Sequence, residues 1–282
     1  MWLLHGLPLA LLARIGDGFG LLLYTLAVGR RRVCLINLER CFPGMPVVER
    51  QGLARRHFRC LARSILERGI LWWSPRARIE HLVRVAGIEH ITQARAQGRP
   101  LILLAPHFIA LDAAFSRLSC DVDMAALYSN QKSALFNRVM KAGRTRFGRQ
   151  SLFSRQEGVR KTVAALRQGM PFYYLPDMDY GPRDAIFVPF FGVPAATITG
   201  LTRLARLSGA LVVPCIAVML PGGAGYEVRC HAAWDNYPGD DVEADTRRMN
   251  AFIEERVREM PEQYYWTHKR FKTRPAGEPK WY

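Results

Sequence analysis

A histidine followed by four spacers and an aspartate, His107-x4-Asp112, is the pair in this sequence best suited to catalysis. A neutral imidazole that is oriented by a carboxylate can take a proton from a hydroxyl group. Five helical residues turn about 500°, so in a continuous helix the two side chains would lie roughly 140° apart. We therefore expect His107 to cap a helix that starts after Pro106, with its ring turned back to Asp112. A histidine that only caps a helix, with an aspartate on the surface and no catalytic role for either, would show the same spacing.

Two further segments carry residues that suit binding or catalysis. Pro176-Asp-Met-Asp-Tyr-Gly-Pro-Arg183 follows an apolar run, where α/β enzymes place functional carboxylates. Asp177 and Asp179 could hold a divalent metal in a sugar-nucleotide enzyme, or could form a polar turn by bonding their own backbone. Arg144, after Gly143, could hold a phosphate or a developing oxyanion, or could be a solvated arginine at a helix end.

The elements that would position these residues follow one pattern beyond residue 85. A helical stretch ends at a glycine, and an apolar strand begins almost at once; this occurs at Gly98, Gly169 and Gly209. Apolar runs without alternation are typical of strands buried on both faces. Further strand candidates are 122–128, 186–191 and 226–230, with a hairpin turn at Gly222–Gly225. We predict an α/β fold, a single domain with a central mixed, mostly parallel sheet flanked by helices.

The N-terminal residues 1–29 are apolar and precede the predicted catalytic domain, 30–282, whose first part, 30–85, we predict to be a helical, arginine-rich prelude. The run from Leu7 to Val28 is long enough to span a bilayer, but Arg14 and Asp17 interrupt it. Three arginines follow directly, as on the cytoplasmic side of an anchor. A spanning anchor, an interfacial helix and an ordinary buried helix all remain open.

The charge of the chain indicates a polyanionic partner. The net charge is +16, and residues 30–100 contribute +10 of it through fifteen arginines against five glutamates. Nucleic acid, an anionic lipid surface, or a phosphorylated substrate with an acidic carrier would each suit such a surface. The six cysteines show no CxxC pair and no zinc spacing, so we predict reduced thiols and no metal site.

Several motifs occur together in a fixed order. They are Asn37-Leu-Glu-Arg-Cys-Phe-Pro43, His107-x4-Asp112, Gly143-Arg144, the loop 176–183, Pro261-Glu-Gln-Tyr264 and Trp266-Thr-His-Lys-Arg-Phe-Lys-Thr-Arg-Pro275. In this order they resemble the lipid A biosynthesis acyltransferases, the late lauroyl- and myristoyl-type enzymes of the lysophospholipid acyltransferase superfamily. The resemblance covers roughly residues 30–282. Many of those relatives carry Glu where this chain has Asp112, and others carry Asp.

The resemblance implies an enzyme on the cytoplasmic face of the inner membrane. It would transfer an acyl chain from acyl-carrier protein to a hydroxyl on an acyl chain of a lipid A precursor, with the anionic leaflet as a further partner and no cofactor. His107 would act as the general base and Asp112 would fix its tautomer. Arg144 and Arg183 would hold the phosphate of the acceptor or the oxyanion. Asp177 and Asp179 would belong to the same site, with Asp177 orienting Arg144 or organising its own loop.

Two other functions compete with this interpretation. A glycerol-phosphate or lysophospholipid acyltransferase would share the His-x4-Asp chemistry but would accept a smaller molecule. A nucleic-acid-binding protein would explain the isoelectric point of about 10.1 without catalysis, but it would leave His107, Asp112 and the apolar N-terminus unexplained. Cell fractionation separates the two classes, because an acyltransferase would be found with membranes.

Overall fold

The computed structural model describes residues 1–129, 133–154 and 158–282 of the chain. After a short 3₁₀ turn at Trp2–Gly6, its helices are α1 (Leu9–Leu26), α2 (Val28–Cys41), α3 (Val47–Trp73), α4 (Arg76–Leu82), α5 (Ile88–Ala96), α6 (Leu111–Leu118), α7 (Ala134–Arg144), α8 (Gly158–Arg167), α9 (Gly200–Ser208) and α10 (Val242–Glu259). Its strands are β1 (Val83–Ala86), β2 (Leu101–Leu104), β3 (Ala125–Tyr128), β4 (Ser151–Ser154), β5 (Phe172–Tyr174), β6 (Ala185–Phe190), β7 (Val193–Ile198), β8 (Leu211–Met219) and β9 (Tyr226–Cys230).

Seven strands form the central sheet in the order β1-β9-β8-β2-β5-β3-β4. Every neighbouring pair is parallel except β8 and β9, which are antiparallel and joined by the predicted turn at Gly222–Gly225. Strands β2 and β8 are buried along their whole length, as strands between two helical layers must be. The predicted mixed, mostly parallel sheet flanked by helices is confirmed.

Some strand predictions need correction. The predicted strand 122–128 begins only at Ala125. The predicted strand 186–191 corresponds to β6, which lies outside the central sheet and pairs with β7 as an antiparallel hairpin. The burial of β6 alternates towards its end, as in a strand with one face on the core. Strands β1, β4 and β7 were not predicted, because runs of only four to six residues are too short to show a clear hydrophobic period.

The N-terminal helix α1 is attached to the body of the protein rather than separate from it. It packs along α3, with its buried side formed by Leu9, Leu12, Ala13, Gly16, Gly20 and Tyr24. Two of these are glycines because the helix backbones approach closely: a Cβ on Gly20 would lie 2.5 Å from the Cα of Arg59. Along the described residues, α1 is the one helix long and apolar enough to cross a membrane by length and composition.

The order of the strands determines where the site lies. Strands β2 and β5 are adjacent and parallel, with Leu104 opposite Tyr174. The pairing continues one step further, where the Ala105 N–H donates to the Tyr174 carbonyl at 2.8 Å. The loops that follow these two strands therefore leave the sheet side by side at its carboxyl edge. The first loop contains His107 and the second contains Asp177 and Asp179.

Candidate active site

His107 lies in the loop between β2 and α6 and is held by the C-terminal part of the chain. Its carbonyl accepts a hydrogen bond from the Tyr265 N–H at 3.1 Å, and the next residue, Phe108, forms a β-bridge with Tyr264. Helix α6 begins only at Leu111, with Ala110 as its N-cap. The prediction that His107 caps this helix is therefore wrong, because the helix begins four residues later and a remote segment of the chain holds the loop that contains His107.

The hydrogen-bond partner of the His107 ring is Asp177. The ring nitrogen Nδ1 lies 2.7 Å from the Oδ1 of Asp177, and the backbone N–H of His107 donates to Oδ2 at 3.0 Å. The carboxylate thus fixes both the ring and the loop that carries it. With Nδ1 donating to Asp177, the neutral imidazole has its unprotonated nitrogen at Nε2, and His107 lines a cavity. This is the arrangement of a general base held by a carboxylate.

Asp177 is buried beneath His107 and is ionised. Its Oδ2 also accepts a hydrogen bond from the hydroxyl of Tyr264 at 3.1 Å. Burial by itself would raise the pKa of Asp177, but the attraction of His107 and the hydrogen bonds from its ring and backbone N–H hold that pKa below the usual value. A carboxylate that stays charged in this position favours the imidazolium that forms when His107 accepts a proton.

Asp112 has different partners from those predicted. Its carboxylate accepts from the Nε of Arg68 at 2.7 Å and from Arg144 at 2.9 Å (Nε) and 2.6 Å (Nη2). Burial would raise the pKa of Asp112, but these two guanidinium groups lower it to about 2. The predicted bond between Asp112 and His107 is therefore wrong. Asp112 sits in the first turn of α6 and holds two cations at the cavity wall.

We expect Asp112→Asn to destabilise the protein and Asp112→Glu to do so less, because only glutamate keeps a charge for both arginines. Breaking a buried ion pair costs about 3–5 kcal/mol of the free energy of unfolding, measurable by urea denaturation at neutral pH. Because the pKa of Asp112 is lowered, its ion pairs stabilise the wild-type protein fully above pH 3.8. This stabilisation disappears as the pH falls through about 2. Equal stability of the two variants would contradict this role.

The contacts that the structure shows for Asp179 and Arg183 are with residues other than His107. Asp179 is buried and accepts hydrogen bonds from the Gly181 N–H at 2.9 Å and from Thr273, through its N–H at 2.6 Å and its hydroxyl at 2.9 Å. It thereby joins the loop after β5 to the C-terminal segment. The Arg183 side chain is 96% exposed at the mouth of the cavity.

Among the described residues, no group of three or more His, Cys, Asp or Glu side chains could hold a metal ion.

A cavity of about 1070 Å³ connects these groups. His107, Arg68 and Arg144 line it together with apolar side chains, which include Leu61, Ile65, Ile109, Leu111 and Phe115. The volume is at the upper end of the range for small-molecule sites, so the cavity has room for a long apolar chain beside the histidine. A cavity with apolar walls and a few convergent polar groups is typical of a catalytic site.

Two members of the site were missed in the sequence. Arg68 is one of many arginines in a basic helix, and no local signal marks it as the one that faces Asp112. Tyr264 belongs to the Pro261-Glu-Gln-Tyr264 motif, which is part of the family resemblance. The motif gives no indication that this tyrosine contacts Asp177.

The chain is similar to known proteins over its whole length. The chain is 35% identical to the lipid A biosynthesis lauroyltransferase of Escherichia coli over 100% of its length and 92% of that protein. It is 32% identical to the palmitoleoyltransferase of the same organism over the same shares, and 33% identical to the myristoyltransferase over 95% and 82%. A solved 1-acyl-sn-glycerophosphate acyltransferase from Thermotoga maritima is more distant, with 16% identity, coverage of 89% and 97%, and a TM-score of 0.42. The sequence model of the bacterial lipid A biosynthesis acyltransferases matches residues 1–273, and the chain belongs to that family.

Proposed function

We propose that this protein transfers a fatty acyl chain from acyl-carrier protein to a hydroxyl on an acyl chain of a lipid A precursor, at the cytoplasmic face of the inner membrane. The observation that carries the proposal is the His107–Asp177 pair at 2.7 Å, placed at a cavity with apolar walls in a lipid A acyltransferase. A buried carboxylate that orients a cavity-lining histidine suits general-base activation of a hydroxyl.

The reaction that we propose needs no covalent enzyme intermediate. His107 takes the proton of the acceptor hydroxyl at Nε2 while the oxygen attacks the thioester carbonyl. The new C–O bond forms, the C–S bond breaks, and the leaving thiolate takes the proton back from His107. Direct transfer suits a sequence that has no Gly-x-Ser-x-Gly motif.

The arginines around the cavity suit the negative charges of this reaction. Arg68 and Arg144 are held by Asp112 at the cavity wall, where a fixed cation can stabilise a developing oxyanion. Arg183 and Arg203 lie at the cavity mouth, although Asp184 pairs with both of them. We assign these two to the phosphate of the acceptor. The acidic carrier would bind outside the cavity, to the basic surface that residues 30–100 provide.

The proposal is tested by incubating the purified enzyme with acyl-carrier protein loaded with a fatty acid and with a lipid A precursor, followed by mass spectrometry of the lipid. We expect the precursor to gain the mass of one acyl group, in an ester on an existing 3-hydroxyacyl chain. Acylation of glycerol phosphate or of a lysophospholipid, with no change in the lipid A precursor, would instead favour the smaller-acceptor enzyme.

The assay is run with and without a chelator, and we expect chelation to leave the rate unchanged.

We infer that Tyr264 is a positioning residue, and we expect Tyr264→Phe to lower kcat about tenfold with KM unchanged, since a hydrogen bond to a charged group is lost. Without this donor the Asp177 carboxylate is more basic and stabilises the protonated ring of His107 more strongly. The acid limb of the kcat/KM profile should therefore move to higher pH. Tyr237→Phe is the matched control, because it also removes a buried hydroxyl, one that bonds Thr202 at 3.0 Å. An acid limb that stays in place in Tyr264→Phe would refute the positioning role.

A further inference from the structure

Helix α1 has a second apolar face that points away from the protein. Five of its side chains are exposed by 37–69% and lie in one row at spacings of four, four, three and four residues: Leu11, Ile15, Phe19, Leu22 and Leu26. We call these five residues the outer stripe. Trp2 and Leu3, in the turn before α1, are exposed by 59% and 78%. A row of neighbouring exposed apolar side chains is typical of an interaction site.

The inner face of α1 fixes the direction of the helix relative to α3. A Cβ on Gly16 would lie 2.7 Å from the Cγ of Arg63, and one on Gly20 would lie 2.5 Å from the Cα of Arg59. The Asp17 carboxylate also pairs with Arg59 at 2.7 Å. The two helices therefore run antiparallel and are in backbone contact at Gly16 and Gly20, so neither can move into a membrane without the other.

This pairing is incompatible with a spanning α1. In a bilayer the neighbouring helix would carry the exposed Arg55, Arg56 and Arg59 into the hydrocarbon region. Each arginine at the centre of a bilayer costs at least about 2.5 kcal/mol, and the estimates rise well above that. A helix with one face on the protein and an apolar row on the other instead suits the plane of the membrane interface.

We propose that the outer stripe lies in the interface of an anionic bilayer, with α1 parallel to the membrane surface. Arginines border the helix as such a surface requires: Arg31 and Arg55 each lie 5.2 Å from the ring of Tyr24, and Arg14 is exposed on α1 itself. Basic side chains next to a buried apolar row bind anionic headgroups. The proposal shares with the proposed function only the membrane location.

The placement connects the membrane to the catalytic cavity. Helix α3 contacts α1 on one side and on another contributes Leu61, Ile65 and Arg68 to the cavity wall. The cavity thus lies one helix away from the bilayer, so that a lipid acceptor would need to leave the membrane by little more than the width of α3.

The first test is the topology of the full-length protein. Peptide tags at the N-terminus and at the C-terminus are probed with protease in sealed inverted membrane vesicles and in spheroplasts. We expect both tags to be cleaved in inverted vesicles and both to be protected in spheroplasts. An N-terminal tag that is cleaved in spheroplasts would mean that α1 spans the membrane, and it would overturn the proposal.

The second test is binding of the full-length protein to vesicles of phosphatidylcholine and phosphatidylglycerol in equal parts. We expect the double variant Ile15→Gln/Phe19→Gln to bind roughly tenfold or more weakly, because two of the inserted side chains become polar. Leu135→Gln is the matched control, since this leucine is 70% exposed on α7 and lies outside the stripe, and it should bind like the wild type. Unchanged binding of the double variant would refute the proposal. So would a dimer that the wild type and Leu135→Gln form without lipid and the double variant does not, because the outer stripe would then be a contact between two copies of the chain. Neither test depends on acyl transfer, so both can succeed or fail independently of the proposed reaction.

Discussion

His107→Ala should lower kcat by roughly 10² to 10⁴ while the protein stays folded, because the substitution removes the general base. The side chain is partly exposed at the cavity, so its loss leaves little empty space in the core. The rate of acyl transfer to the lipid A precursor is measured with purified enzyme, alongside the urea unfolding midpoint of the variant.

A folded His107→Ala enzyme with wild-type turnover would refute the mechanism. A loss of activity together with a much lower unfolding midpoint would mean that the fold had failed, and that result would not count in its favour. His107→Gln is a useful companion, since its amide keeps a hydrogen-bond donor for Asp177 but cannot take up a proton. We expect it to be as inactive as the alanine variant.

Asp177→Asn should lower kcat by about 10⁴, the loss found when the orienting aspartate of a Ser-His-Asp triad becomes asparagine. An amide in this position can donate to Nδ1, which leaves the proton on Nε2, where the base is needed. Because the amide is neutral, it also no longer stabilises the imidazolium of His107. The same assay measures the effect, and KM should change little.

The double variant His107→Ala/Asp177→Asn distinguishes a shared role from two separate ones. If Asp177 acts through His107, the double variant should be no slower than His107→Ala, because residues that act as a unit are not additive. Effects that multiply would show that Asp177 has a function of its own. High activity of Asp177→Asn combined with an inactive Asp112→Asn would restore the predicted pairing of His107 with Asp112.

Much of this protein could be predicted from local sequence patterns. The apolar runs at 101–104, 172–175 and 211–216 became strands of the central sheet because they are buried on both faces, and such burial requires unbroken apolar residues. The glycines before them adopt positive φ, at 67°, 78° and 68° for Gly98, Gly169 and Gly209, as a helix end requires. The family, too, was predicted from the order of its motifs.

The partners of the functional side chains were decided only by the tertiary structure. His107 and Asp112 are close in sequence, yet the bond goes to Asp177, seventy residues further on, because β2 and β5 are neighbours in the sheet. The spacing of five residues kept Asp112 on a helix that faces Arg68 and Arg144. Which carboxylate meets a histidine depends on strand order, and strand order is set by the packing of the whole chain rather than by any local pattern.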